Sequence, residues 1–250
     1  MKTILLIVGL WLAGGAVNLA LAAETTSASR FDSTIQSKVT QLTTRKEFRK
    51  VQASVEDGIV ILTGNVDLYQ QKLDTAKKVR KIANVQGVRN LIAVNGNVSD
   101  AQLTATLDRK LYYDRLAQDN VFNYVTASAE NGVVTLSGET RNEFDRDSAL
   151  SLVDNTTGVK DVIDNIKVAP ASIFDDQIRI SALRAIYRDP VLNRYAIDPA
   201  KPIRIVVDCG HLSLCGTVAS TIDKQIAGIR ASQVFGAFTV ENNLQVENGS

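Results

Sequence analysis

The sequence is poor in the side chains on which enzymes and metal proteins most often depend. Its 250 residues include one histidine, His211, and two cysteines, Cys209 and Cys215. A lone imidazole cannot form a zinc site without partners. The chain also contains no P-loop, Rossmann glycine pattern, zinc-ligand spacing or Gly-x-Ser-x-Gly elbow. We therefore expect no metal, no cofactor and no enzymatic activity, an enzyme being the least favoured class of function.

A strong net charge of either sign is also absent. Lysine and arginine number 28 and aspartate and glutamate 27, for a net charge of +1, which argues against a nucleic-acid-binding protein. The charge is nevertheless unevenly distributed. Residues 31–98 carry 11 basic and 6 acidic side chains, a net charge of +5, whereas residues 99–168 carry 7 and 12, a net charge of −5. Residues 169–250 carry 8 of each sign, so the near-neutral total conceals a dipolar chain.

One long apolar run begins after Lys2 and closes on the small-residue pattern Ala20-Leu21-Ala22. This pattern predicts a signal peptide over residues 1–22, cleaved before Ala23, and hence export to the periplasm. Residues 23–30 then form a short disordered lead-in. The alternative is an uncleaved membrane anchor, because residues 4–23 are about long enough to span a bilayer.

The rest of the chain repeats one hairpin pattern three times. The copies are “SVEDGIVILTG” at 54–64, “SAENGVVTLSG” at 128–138 and “VVDCGHLSLCG” at 206–216. Their turn glycines, Gly58, Gly132 and Gly210, are 74 and 78 residues apart. A second set of glycines, which we align as Gly87, Gly158 and Gly236, is spaced by 71 and 78 residues. Periods of this length indicate tandem domains rather than solenoid turns.

Each copy predicts the same order of elements: helix, strand, strand, helix, strand. Asp-Gly and Asn-Gly pairs in the first two hairpins are type I′ turn signals. In the first copy this turn pairs Glu56 with Ile59, Val55 with Val60, and Ala53 with Leu62. Alternation then predicts that Leu62 and its equivalents Leu136 and Leu214 are buried.

Helical spacing predicts the two helices of each copy. The first helices are capped by Asp32 or Ser33, by Ser99 or Asp100, and by Asp175. The second helices cover residues 68–84, 142–155 and 221–233. We therefore predict an α+β fold of three tandem αββαβ sandwiches, each with two helices on one face of a three-stranded sheet. Their bounds are 31–98, 99–168 and 169–250.

This order of elements, with the patterns “xVEDGxVxLxG” in the hairpin and “GVxxVxxxIxV” near the end, resembles the BON domain (bacterial OsmY and nodulation). The resemblance covers nearly all of the chain after the signal peptide. It implies an OsmY-like envelope protein, periplasmic or associated with the outer membrane, that responds to osmotic or envelope stress. It further implies contact with phospholipid or chaperone-like contact with other envelope proteins, and it attaches no enzyme activity to the domain.

The first copy contains the strongest candidate for a lipid-binding site. In the segment “QQKLDTAKKVRKIAN” at 70–84, helical spacing places Lys77, Lys78 and Lys81 opposite an apolar arc formed by Ala76, Val79 and Ala83. Basic amphipathic helices are typical of membrane-surface elements that contact anionic phospholipid. Two alternatives remain open: these lysines form only a solvated helix face, or the acidic second copy docks onto them. The oligomeric state is not predicted.

The remaining reactive side chains favour ordinary structural roles. The hairpin register places His211 opposite Asp208 on a solvated face. It places Cys215 opposite Arg204 on the exposed face of the sheet, too far from Cys209 for an internal disulfide. Both thiols are then free or available for an intermolecular bridge. Glu143 and Asp147 share a solvated helix face. Apolar side chains on the uncovered sheet faces predict contact between copies or with a partner; these are Ile59, Ile61 and Val206.

Overall fold

The computed structural model describes residues 29–113, 120–197 and 203–247. The predicted signal peptide over residues 1–22, and all but the end of the lead-in, lie outside the described residues. Within the described residues, every helix is too short or too polar to cross a membrane.

The described residues form three repeats of helices and strands. The first repeat contains α1 (Asp32–Thr43), β1 (Val51–Glu56), β2 (Ile59–Val66), α2 (Tyr69–Arg80), β3 (Gly87–Asn90) and β4 (Ala93–Val94). The second contains α3 (Asp100–Tyr113), β5 (Tyr124–Glu130), β6 (Val133–Thr140), α4 (Glu143–Asp154) and β7 (Asp161–Val168). The third contains α5 (Ile173–Tyr187), α6 (Arg194–Ile197), β8 (Arg204–Asp208), β9 (His211–Cys215), β10 (Thr217–Val218), α7 (Thr221–Ser232), β11 (Thr239–Asn242) and β12 (Gln245–Val246).

The main sheet of each repeat has the second hairpin strand at its centre. The hairpin strands are antiparallel, and the predicted pairs, from Glu56 with Ile59 to Ala53 with Leu62, are confirmed. The last strand of each repeat returns through a helix and runs parallel to the central strand. It is continuous in the second repeat, whereas in the first and third it is interrupted and resumes as β4 and β12. The α+β architecture of three repeats is therefore confirmed.

The helices of each repeat cover one face of its sheet and enclose a separate core. Leu62, Leu136 and Leu214 are each 0% exposed, as alternation predicts. Each packs among apolar side chains of its own two helices; in the first repeat these include Val39 and Val79. Three small cores therefore hold the chain together, each built mainly from one repeat, and the second and third cores each receive one buried aromatic ring from the preceding repeat.

The predicted equivalence of Gly87 with Gly158 and Gly236 is wrong. The residue of the first repeat that shares their left-handed backbone is Asn84, with φ of 70° against 98° and 93°. Asn84, Gly158 and Gly236 are spaced by 74 and 78 residues, as the hairpin glycines are. Asparagine substitutes for glycine here because its short polar side chain tolerates this conformation, and that substitution hid the true register.

Three aspartates at the starts of the first helices hold the hairpin turns. Asp32 accepts hydrogen bonds from the amides of Asp57 and Gly58 at 2.9 and 2.8 Å. Asp100 and Asp175 make the same pair of contacts in the other repeats. The first helix of each repeat is thereby tied to a turn 25 to 35 residues further along the chain.

The predicted capping role of Asp175 is therefore wrong, because Ser172 caps α5 by accepting from the Asp175 amide. For α1 neither predicted residue is the cap, since Phe31 holds that position without a side-chain hydrogen bond. The serine alternative in the second repeat agrees with the structure, where Ser99 accepts from the Gln102 amide at 3.4 Å.

The second and third repeats meet through Arg204, which is 2% exposed. Its guanidinium donates to the carbonyl oxygens of Asn120 and Tyr112, and it lies 5.0 Å from the centre of the Tyr112 ring. Its predicted neighbour Cys215 is confirmed as a strand partner but is only 8% exposed. The prediction that this pair faces solvent is wrong, because the second repeat covers that part of the third sheet.

Candidate functional site

The three predicted lysines occupy different environments at the end of α2. Lys77 is exposed on the outer face of the helix, and Lys81 lies just past Arg80 as the C-terminal cap. Val79 on the opposite face is buried, as predicted. Ala83, however, is exposed rather than part of the apolar arc. The helix ends at Arg80, four residues before the predicted end at residue 84, so Ala83 belongs to the following turn.

Lys78 is the lysine most involved in the structure of the repeat. Its Nζ lies 3.0 Å from Oε1 of Glu47 and 4.4 Å from the centre of the Phe48 ring. Phe48 is 2% exposed and belongs to the core of the first repeat. Burial of this ring fixes the segment between α1 and β1 against α2, and Lys78 covers the ring from outside.

The segment anchored by Phe48 brings a second group of basic side chains beside the helix. Lys46, Arg49 and Lys50 line an open cleft of about 380 Å³, whose other wall includes Gln71 of α2. The cleft also contains two carboxylates, of which Asp67 lies 3.7 Å from Lys50. Sequence reasoning missed this group, although “RKEFRK” at 45–50 has four basic residues in six.

We refer to the combined basic side chains as the basic surface, defined as Lys46, Arg49, Lys50, Lys77, Lys78 and Lys81. It combines a helix end with a loop that is distant in sequence. The local balance favours positive charge because these six cations outnumber the two carboxylates of the cleft, Glu47 and Asp67. Such a surface attracts anions over about a Debye length, roughly 8 Å at physiological ionic strength.

The acidic second repeat contacts α2 at the other end of the helix. Tyr69, the first residue of α2, donates its hydroxyl hydrogen to Asp161 at 2.7 Å, and burial together with the nearby Asp161 raises the pKa of that hydroxyl. On the same side, burial and the charge of Asp74 raise the pKa of Asp154 to about 6. The ion pair seen for the predicted lysines, Lys78 with Glu47, lies within the first repeat.

The cysteines and the histidine lie in the third repeat. Both thiols are free, with Cys209 exposed and Cys215 buried. Burial raises the pKa of Cys215 to about 11, and a hydrogen bond with Asp208 raises that of Cys209, so neither is activated as a thiolate. His211 is exposed, with Nδ1 2.6 Å from Oγ1 of Thr239. Across the described ranges, histidine, cysteine and carboxylate side chains form no group of three that could hold a metal ion.

Cys215 also lines a cavity of about 370 Å³ between the second and third repeats, together with Val206 of the third repeat and Tyr124 and Glu139 of the second. Val206, predicted to lie on an uncovered sheet face, is 8% exposed. Burial and the charge of Asp208 raise the pKa of Glu139. The apolar strand position therefore serves contact between repeats.

The model of the BON domain matches the sequence three times, at residues 31–96, 99–170 and 185–248. The chain belongs to the BON domain family. The predicted resemblance and its three copies are thereby confirmed. Proteins of this family are typically periplasmic or membrane-associated and are generally non-catalytic.

The solved structures to which this chain is similar include two from one protein. One is CdsD, a structural protein of the type III secretion system of Chlamydia trachomatis, with 13% identity, a TM-score of 0.25, and coverage of 85% of this chain and 91% of that one. The other is the C-terminal domain of CdsD, with 14% identity, a TM-score of 0.23 and coverage of 86% and 96%. No curated protein matches the sequence. TM-scores this low support no functional argument.

Proposed function

We propose that this BON protein is a non-enzymatic envelope protein, exported to the periplasm, that contacts anionic phospholipid through the basic surface of its first repeat. Osmotic or envelope stress is the setting in which such contact would be used. The family supports an envelope role. The observation that carries the lipid assignment is the joining of two basic segments into one surface by Phe48 and the Lys78–Glu47 ion pair.

The expected strength of this contact follows from the charges. A lysine or arginine close to an anionic membrane surface contributes about 1 kcal/mol, and the contribution decays within a Debye length. Lys50 and Lys78 lie beside Asp67 and Glu47, so the six cations and two carboxylates leave a net charge of +4. Such a surface would hold the protein reversibly, on the order of a few kcal/mol, provided that most of the cations reach the membrane at once. Binding would therefore weaken steeply as salt rises and would be lost with neutral lipid.

The test is sedimentation with vesicles that contain or lack an anionic lipid, using the double charge reversal Lys77→Glu, Lys81→Glu. Lys78 is left intact because its contacts with Glu47 and Phe48 stabilise the repeat. We expect loss of most binding to anionic vesicles, at least tenfold in affinity, with an unchanged melting curve.

The chain offers a closely matched control at the end of α5. Arg184 is exposed in the last turn of α5, and Arg188 is the exposed C-terminal cap four residues later. The variant Arg184→Glu, Arg188→Glu makes the same charge change at the same helical positions in another repeat. Equal losses in both variants would mean that only net charge matters, and unchanged binding in the first variant would rule out the basic surface as the lipid site.

A second candidate function is a chaperone-like or scaffold role toward other envelope proteins. It is favoured by apolar side chains on the uncovered sheet sides of the first two repeats, with Ile59 45%, Leu91 53% and Ile163 48% exposed. Such positions could bind unfolded segments. Suppression of the aggregation of an unfolded outer-membrane protein, lost on changing Ile59 and Ile163 to threonine, would support this role over lipid contact.

A further inference from the structure

Three phenylalanine residues are exposed near the hairpin turn of the third repeat, and two of their rings lie close together. Phe235 is 96% exposed, Phe238 71% and Phe174 45%. The rings of Phe174 and Phe238 have centroids 5.9 Å apart, and Phe235 precedes Gly236, which lies against the Phe174 ring. We call these three residues the aromatic tip. Exposed aromatic side chains in a group indicate an interaction surface rather than chance exposure.

The other two repeats show that the fold does not require aromatic residues at these positions. The amide of Phe238 donates to the Gly210 carbonyl at 2.9 Å, as Gln86 and Lys160 donate to the corresponding glycines. All three side chains cover the turn glycine of their hairpin. The equivalents of Phe235, one residue before the left-handed position, are Ala83 and Thr157. Polar or small side chains therefore suffice where two rings are exposed in the third repeat.

The chemistry of the aromatic tip suits the interfacial region of a lipid bilayer. Residues 231–240, “ASQVFGAFTV”, contain no charged side chain. The amides of Val234 and Phe238 are bonded to the carbonyls of Ala231 and Gly210, so these donors need no water. Large parts of the rings are exposed, so a partner must supply the remaining apolar surroundings.

We propose that the aromatic tip inserts into the interfacial region of a phospholipid bilayer and provides an apolar contact separate from the basic surface. The inference rests on the proposed function, because it assigns a second lipid-binding element to the same protein. Peripheral proteins that combine charge attraction with apolar insertion bind more stably than either contact allows alone. The basic surface would govern approach, and the tip would make part of the binding resistant to salt.

The two surfaces occupy related places in different repeats. The helices α2 and α7 are both 12 residues long, so Lys77 in the first repeat corresponds to Ile229 in the third. Ile229 is itself 57% exposed. An exposed apolar residue thus replaces a lysine at this position of the second helix, although Arg230 keeps a positive charge at the position of Lys78.

Cys209 supplies a reporter for the test. It is exposed in the hairpin turn beside Gly210, on which the Phe238 ring rests, whereas Cys215 is buried. In the full exported protein carrying Cys215→Ala, a polarity-sensitive fluorophore is attached to Cys209. Emission and sedimentation are measured with vesicles of phosphatidylethanolamine and phosphatidylglycerol, at low salt and at about 0.5 M salt, where charge attraction is screened within roughly 4 Å.

We expect the emission to shift to the blue when vesicles are added, and part of the binding and of the shift to persist at high salt. The variant Phe235→Thr, Phe238→Gln copies residues of the other repeats. It should lose the blue shift, and its affinity for vesicles at high salt should fall at least tenfold. The control Ile222→Gln removes a 66% exposed apolar side chain at the opposite end of α7 and should keep both the shift and the salt-resistant binding. Melting curves establish that each variant is folded.

Three results would overturn the inference. A protein that binds vesicles while its label stays in a water-like environment has a tip that does not insert, and the proposed function survives. A blue shift without vesicles that grows with protein concentration means that a second copy of the chain covers the tip. If the unmodified protein fails to bind anionic vesicles even at low salt, the proposed function fails and the inference fails with it.

Discussion

Removal of one turn-holding aspartate should weaken its repeat by a predictable amount. Asp100 accepts from the amides of Asn131 and Gly132 at 2.7 and 2.9 Å. A hydrogen bond to a charged group contributes about 1.5–3 kcal/mol. The Asn131 residue is exposed, so water replaces that partner, whereas Gly132 is buried. We therefore expect Asp100→Ala to cost about 2–3 kcal/mol of the free energy of unfolding, nearer one full bond than two.

The assay combines chemical denaturation with hydrogen exchange. A loss of about 2–3 kcal/mol in a domain of this size lowers the melting temperature by roughly 10–20 °C. The amide of Gly132 should also exchange much faster, since its acceptor is removed. The control Asp147→Ala deletes an exposed carboxylate from α4 in the same repeat and should change stability by less than about 0.5 kcal/mol.

Asp100→Asn separates geometry from charge. The amide oxygen can still accept one hydrogen bond, so we expect about half the loss seen with alanine. The reasoning is refuted if Asp100→Ala has the same melting temperature as the Asp147→Ala control and if the exchange rate of the Gly132 amide is unchanged. The contact would then be a consequence of the fold rather than a cause of its stability.

Two further predictions concern the cores and the contact between the first two repeats. Truncation to alanine of Leu62, Leu136 or Leu214, each fully buried, should cost about 2–5 kcal/mol, whereas the partly exposed Leu73 in α2 should cost far less, as urea unfolding would show. The raised pKa of Asp154, about 6, means that the folded state binds its proton more tightly than the unfolded chain, so stability should fall as pH rises from about 4 to about 6. Asp154→Asn should raise the melting temperature at neutral pH and flatten that dependence, and an unchanged pH profile would show that Asp154 is not the group responsible.

The three repeats share one framework and differ in what they expose. The framework consists of the hairpin, its aspartate and the left-handed residue after the second helix. Outside it, the first repeat carries the basic surface, the third carries the aromatic tip, and the second is acidic and contacts both neighbours, through Tyr69 with Asp161 and through Arg204. Both of the proposed lipid contacts therefore lie at positions at which the repeats differ.

Local chemistry was sufficient for the prediction of the fold. A type I′ turn requires positive φ at two adjacent residues. The pairs Asp57-Gly58 and Asn131-Gly132 therefore predict this turn from the sequence alone. Alternation along the strands then determines which side chains face the core, so Leu62 and its equivalents could be identified without coordinates. Even Cys209 adopts the turn geometry, with φ of 49° against 50° for Asp57.

What only the tertiary structure decided depends on residues that are far apart in sequence. Asp100 looks like a helix cap until the turn 31 residues later is brought beside it. Arg204 alternates as an exposed strand residue, yet the second repeat buries it. Helical periodicity places Lys78 on the outward face of α2. Burial of Phe48, however, brings Glu47 into an ion pair with Lys78. Periodicity describes one element at a time, whereas burial and ion pairing are set by the neighbour that packs against it, and no local pattern identifies that neighbour.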